Sequence, residues 1–176
     1  MKVICFGDSN TYGYDPRGYF GGRYDHPWPE IIAKRTGWSV INMGMNGQEI
    51  PQISASFPAD TDLLIIMLGT NDLLQGASPE TVSDKMKHYL LSLDQENILL
   101  IAPPPMVFGE WVSCQNLIDN SKSITKLYRN LAQQLGIQFA DAGKWDVPIA
   151  YDGIHLTEEG HSTFARELIH HMKKGE

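Results

Sequence analysis

Ser9, Asp152 and His155 are the residues of this chain whose types and placing suit nucleophilic chemistry. Acyl transfer by a serine needs a hydroxyl on a sharp turn, an imidazole to take its proton, an acid to orient the imidazole, and N–H donors for the oxyanion. Gly7-Asp8-Ser9-Asn10 follows an apolar run and offers the hydroxyl, with the Ser9 N–H at the opening of a helical turn, where it meets developing negative charge. Asp152-Gly153-Ile154-His155 offers acid and imidazole. A Gly-containing turn lets the carboxylate reach Nδ1 and leaves Nε2 facing Ser9. Asn71, in Gly69-Thr70-Asn71-Asp72, can add a side-chain N–H, and Gly47, in Gly44-Met45-Asn46-Gly47, a backbone N–H that substrate can approach because no Cβ intervenes. Each fragment also has an ordinary structural use: Ser9 as a helix N-cap, Asp-x-x-His as a plain turn, Asn71 as an Asx-turn, Gly44 and Gly47 as chain reversals. Their order and shared placement decide for chemistry.

That placement comes from the elements around them. Lys2-Phe6, Ser39-Asn42, Leu63-Leu68, Ile98-Ala102 and Gln138-Ala140 read as strands, and the first, third and fourth are almost wholly apolar, as parallel strands covered on both faces must be. Amphipathic segments lie between them. Pro29 stands at a first helical position with Gly37 closing that helix, and Ser78-Pro79-Glu80 opens another with Val82, Met86, Tyr89, Leu90 and Leu93 on one face. Leu117, Ile124, Leu127, Leu131 and Leu135 line a third before Gly136, and Thr157 caps a last one with Phe164, Ala165, Leu168, Ile169 and Met172 inward. Alternating strands and helices predict an α/β chain: a three-layer α/β/α sandwich with a parallel five-stranded sheet, flavodoxin-like, in a single domain spanning 1–176. Ligands of such sheets bind beyond the carboxyl ends of the strands, which is where all four polar turns fall.

Taken together, Gly7-Asp8-Ser9-Asn10, Asn42-x-Gly44-x-x-Gly47, Gly69-Thr70-Asn71-Asp72 and Asp152-Gly153-Ile154-His155-Leu156 resemble, in order and spacing, the four sequence blocks of SGNH (GDSL-like) hydrolases. The resemblance runs from Lys2 to about His161. It implies Ser9 as nucleophile, His155 as base, Asp152 as its orienting acid, and an oxyanion hole from the N–H groups of Ser9 and Gly47 with the Asn71 side chain. Gly47 is preferred to Gly44 because the family's donor follows the block-two Asn by five positions. Asn10 departs from the Leu often found there; following the nucleophile, it is not expected to alter the reaction. The G-x-S-x-G elbow of α/β-hydrolases is absent, since Asp8 precedes Ser9 and Thr11 stands two after. The run Ile65–Asp72 and the triple proline Pro103-Pro104-Pro105 resemble the aryl-esterase/acyltransferase branch, whose members act on small esters and form oligomers; self-association is thereby implied.

Tyr12, Tyr14, Phe20 and Trp28 lie in a Gly- and aromatic-rich stretch that reads as a loop over the nucleophile, and Phe108 and Trp111 in a second loop after the fourth strand. All are expected pocket residues, though each aromatic alone suits core packing equally. The net charge of −7 leaves no excess of positive charge to hold a phosphate backbone, so nucleic acid is not an expected partner. No apolar stretch approaches the ~20 residues of a membrane span. Two cysteines, Cys5 and Cys114, form neither a disulfide framework nor a metal spacing, which places the chain by default in the cytoplasm. The expected activity is hydrolysis or transacylation of small carboxylic esters without cofactor or metal; carbohydrate O-deacetylation and lysophospholipid hydrolysis occur in the same family. Competing readings are a metal-dependent phosphoesterase and a flavodoxin-like anion-binding module. The first wants several His ligands, yet only His26 and His155 fall outside predicted helices, where His88, His161, His170 and His171 read as solvated faces. The second leaves the Asp152–His155 pair unused.

Overall fold

A computed structural model describes residues 1–18, 21–53 and 55–174. In chain order the elements are β1 (Lys2–Gly7), α1 (Ser9–Tyr12), β2 (Tyr14–Asp15), β3 (Gly22–Arg23), α2 (Trp28–Thr36), β4 (Ser39–Gly44), β5 (Leu63–Met67), α3 (Thr70–Leu74), α4 (Pro79–Leu91), β6 (Ile98–Ala102), α5 (Gln115–Leu135), β7 (Gln138–Asp141), a 3₁₀ turn (Ala142–Lys144) and α6 (Glu158–Lys174). Five strands form one sheet in the order β4-β1-β5-β6-β7, every pair parallel. From β1 the chain steps outward to β4 and then back across to β5, so the strand order reverses at β1 and β5. Crevices for ligands open at that reversal.

Side chains along a strand alternate between faces, and the core divides accordingly. Ile4, Phe6, Leu64, Ile66, Ile98 and Leu100 face one layer with Val82 and Met86 of α4 and Ile124, Tyr128 and Leu131 of α5. Val3, Cys5, Leu63, Ile65, Leu99 and Ile101 face the other, with Trp28 and Ile32 of α2 and Phe164 and Leu168 of α6. Both faces being covered explains why β1, β5 and β6 read as unbroken apolar runs. This is the expected three-layer α/β/α fold.

Helix ends follow local chemistry. Ser78 caps α4 by accepting the Thr81 N–H, Gly37 and Gly136 close α2 and α5 in the left-handed conformation, and the Thr157 hydroxyl accepts the Gly160 N–H at 2.9 Å. Two details differ from expectation. Trp28, not Pro29, is the first residue of α2, with Pro27 at the cap position. On α5 the inward stripe passes through Tyr128 rather than Leu127, because the step of four from Ile124 keeps to the sheet-facing side. The β2–β3 hairpin and α3 escaped sequence reading because two-strand rungs and a five-residue helix carry no periodicity.

Candidate active site

Where β1 ends, the chain turns at once into α1, and Asp8 rather than Ser9 caps it: the Asp8 carboxylate accepts the Asn10 N–H at 2.9 Å. The Ser9 hydroxyl is thereby left for another partner. It donates to His155 Nε2 at 3.0 Å, while His155 Nδ1–H donates to Asp152 Oδ2 at 2.6 Å. A carboxylate only accepts, so Asp152 fixes the proton on Nδ1 and leaves the Nε2 lone pair for Ser9. All three side chains are buried. Burial works against the Asp152 charge, but the His155 ring and the backbone N–H groups of His155 and Ile154, both donating to Oδ1 at 2.9 Å, outweigh it and hold the carboxyl below its ordinary range. Asp8 is the opposite case. Its burial dominates over the Asn10 N–H and the field of His155, and pushes its carboxyl up to about 6.

The turn bearing Asp152 and His155 is fastened from outside by the loop after β6. Val107, Glu110 and Trp111 donate their N–H groups to the carbonyls of Gly153, Tyr151 and Asp152, each at 3.0 Å. Trp111 lies edge-on to the imidazole with ring centres 5.4 Å apart, and Tyr14 lies tilted against it at 4.6 Å.

Two further loops complete the edge. A Cβ on Gly44 would meet the Tyr12 N at 2.1 Å, so that glycine exists to let β4 pack against α1. Gly47 has nothing near its missing Cβ, takes a positive φ of 74°, and borders the pocket. Asn71, on α3, donates one amide proton to the Gln48 carbonyl at 3.1 Å and has a second amide proton to offer. Its neighbour Asp72 is fully buried and accepts the Ile50 N–H at 3.0 Å and the Lys85 ammonium at 2.7 Å. The Gly47 loop is therefore tied to α3 at two points.

Ser9, His155, Gly47, Asn71, Tyr14 and Trp111 line one cavity of about 250 Å³. Asn46, Leu74 and Ile154 line it too and were not anticipated. Asn46 and Ile154 stand inside the quoted motifs, and Leu74 lies one helical turn after Asn71, so a helix recognised at 70–74 would have found it. Three expected pocket residues lie elsewhere. Trp28 is wholly buried against Phe164, ring centres 4.9 Å apart, because it begins a helix packed on the far layer. Tyr12 is half-buried beneath the Arg23 guanidinium, which also donates to its carbonyl at 2.9 Å. Phe108 lines a separate cavity of about 400 Å³ with Pro104 and Pro105, next to Val107, whose N–H is bonded to the Gly153 carbonyl. Phe20 lies outside the described residues. His161, expected on a solvated face, is completely buried: its Nδ1 accepts the Trp28 N–H at 3.3 Å, and burial depresses the imidazole to about 3.

A hydroxyl, an imidazole and a carboxylate linked in this way can pass a proton from serine to histidine and stabilise the resulting imidazolium. In fold the chain is similar to the native aryl esterase of M. smegmatis, 22% identical with a TM-score of 0.84 over 98% of both chains. It is similar too to a carbohydrate acetylesterase family member from Sinorhizobium meliloti, 25% identical with a TM-score of 0.82 over 99% of both. No curated protein sequence matches. The model of the GDSL-like lipase/acylhydrolase family matches residues 5–162, from within β1 to within α6, and so takes in all four polar turns. With nearly the whole fold and each of its motifs inside that match, the chain belongs to the GDSL-like lipase/acylhydrolase family and is a carboxylic ester hydrolase.

Proposed function

We propose that the chain is a serine esterase that cleaves small carboxylic esters through an acyl-enzyme on Ser9. The observation that carries this reading is the unbroken line from Ser9 Oγ through His155 to Asp152, at 3.0 and 2.6 Å, inside a cavity. Ser9 Oγ attacks the ester carbonyl as His155 Nε2 takes its proton, and the Ser9 and Gly47 N–H groups with the Asn71 amide hold the oxyanion. His155 then returns the proton to the departing alcohol. Water, activated by the same imidazole, releases the acid and frees Ser9.

The cavity's modest volume favours a short acyl group such as acetyl, and Tyr14 and Trp111 beside the imidazole favour a flat or ring-shaped alcohol. Both features fit the aryl and carbohydrate esters named for the similar structures. They give a long lysophospholipid chain little room. Among the described residues no group of three or more His, Cys, Asp or Glu side chains is placed to hold a metal ion. No described helix is long and apolar enough to cross a membrane. The free thiols of Cys5 and Cys114 suit a reducing compartment.

Labelling with a fluorophosphonate, read by mass spectrometry on the modified peptide, tests the nucleophile. Wild type should be modified at Ser9 and Ser9→Ala should not. A folded wild type left unlabelled, or labelled at another serine, would refute the mechanism.

A further inference from the structure

We propose that Asn10 is a positioning residue that holds the His155 turn against the nucleophile turn. Its side chain, buried and remote in sequence, spans the backbone on both sides of the histidine: Oδ1 accepts the Leu156 N–H at 2.9 Å and Nδ2 donates to the Ile154 carbonyl at 3.1 Å. A planar amide is the side-chain group that satisfies an N–H and a C=O side by side in this way. The Asn10 N–H is itself fixed by the Asp8 carboxylate, so the bond network closes a ring that runs from Asp8 and α1 through Asn10 to the His155 turn, and back through Nε2 to Ser9. On the outer side that turn has backbone bonds to Val107, Glu110 and Trp111; on the inner side the Asn10 amide meets it at Ile154 and Leu156.

The consequence follows from chain geometry. Ser9 and His155 are 146 residues apart, and their alignment depends on what joins the two turns. Asn10 adjoins Ser9 in the chain, so its amide fixes the imidazole relative to the hydroxyl itself and not merely relative to the fold. A leucine, expected there by resemblance, has no group for either backbone atom and would leave a buried N–H and C=O without this partner.

The inference rests on His155 being the base, and the test separates the two claims. Hydrolysis of p-nitrophenyl acetate is measured for wild type, Asn10→Ala, Asn10→Asp, His155→Ala and the Asn10→Ala/His155→Ala pair. Asn10→Ala should lower kcat roughly 10- to 100-fold with KM within about twofold, the size of a small misalignment of a reacting group. Asn10→Asp keeps the acceptor for Leu156 but turns a carboxylate oxygen towards the Ile154 carbonyl, so its kcat relative to wild type should rise as pH falls and the carboxyl gains a proton to donate; that pH profile decides the matter should the alanine variant not fold. In the His155→Ala background the Asn10 substitution should cost nothing further, because a residue acting through the imidazole has nothing left to position. Full activity in either single variant, or an undiminished Asn10 effect without His155, overturns the clamp while leaving the esterase mechanism standing. A His155→Ala enzyme at wild-type rate overturns both.

Discussion

Two buried histidines six positions apart in the chain, His155 and His161, are treated by the fold in opposite ways. His155 sits at the carboxyl edge of the sheet with a partner on each ring nitrogen, the Asp152 carboxylate at 2.6 Å and the Ser9 hydroxyl at 3.0 Å. His161, on α6, faces the start of α2, where its Nδ1 accepts the Trp28 N–H, the Tyr24 ring lies edge-on at 5.3 Å, and Nε2 has no hydrogen-bond partner among the described residues. Burial is nearly equal for the two. What differs is a carboxylate placed to hold a proton on one nitrogen and to balance the charge when the other nitrogen gains one. Without that counter-charge His161 is kept neutral, its imidazole depressed to about 3. A buried imidazole becomes a base through its partners.

Removing each histidine in turn breaks this comparison most sharply. His155→Ala should lower kcat by roughly 10⁴- to 10⁶-fold, as loss of a base that acts in concert with its nucleophile does. His161→Phe should leave kcat within about threefold, measured per molecule that a fluorophosphonate can titrate. Its effect belongs to stability. The folded-state pKa lies below the ordinary 6.5, so stability is full above pH 6.5 and is lost as pH falls towards 3; the phenylalanine variant removes that part of the acid limb. Loss of activity in His161→Phe comparable to that in His155→Ala would mean that the two regions are not separate.

Next in size is the contrast at the proposed oxyanion hole, where Asn71 and Asp72 are neighbours with different partners. Asn71 offers an amide proton to the cavity, whereas Asp72 faces inward and binds Ile50 N–H and Lys85. Asn71→Ala should lower kcat by roughly 10² to 10³ with KM little changed, the effect typical of one oxyanion donor. Steady-state kinetics on p-nitrophenyl acetate read it directly, and an unaltered kcat would remove Asn71 from the hole.

Most of the candidate site's placement is legible in the sequence because its parts are short motifs at strand ends. A turn of glycine and polar residues after an apolar run says where it lies in an α/β sheet, and so Ser9, Asn71, Gly47 and His155 could be placed at one edge before any coordinates. The aromatics were not legible in the same way. Tyr14, Trp28, Phe108 and Trp111 all stand in or beside loops, and loop residues are aimed by tertiary bonds such as that from Trp111 N–H to the Asp152 carbonyl, which leave no trace in spacing. His161 was misread for a related reason. Helical periodicity puts Phe164, Ala165 and Leu168 inward, and His161, one turn before Phe164 and Ala165 and two before Leu168, lies on the same stripe; only its polarity argues for solvent. Asn10 was read as incidental because its partners are 144 and 146 residues away.

The smallest effect concerns carboxylates and extends the histidine contrast to them. Asp152 is held below its ordinary range by three hydrogen bonds and a ring that can carry positive charge, while Asp8, wholly buried with one N–H, is pushed up to about 6. A folded-state pKa above the ordinary 3.8 means that Asp8 contributes its full stability below pH 3.8 and that this is lost as pH rises through 6; the difference amounts to about 3 kcal/mol at neutral pH. Asp8→Asn retains an oxygen to accept the Asn10 N–H and removes the charge. Thermal melts from pH 4 to 8 should therefore show the two proteins close together at the acid end and the variant increasingly more stable above pH 6. Parallel curves would mean that Asp8 carries its charge without cost, and that a single N–H and the field of the nearby imidazole suffice where Asp152 has three bonds.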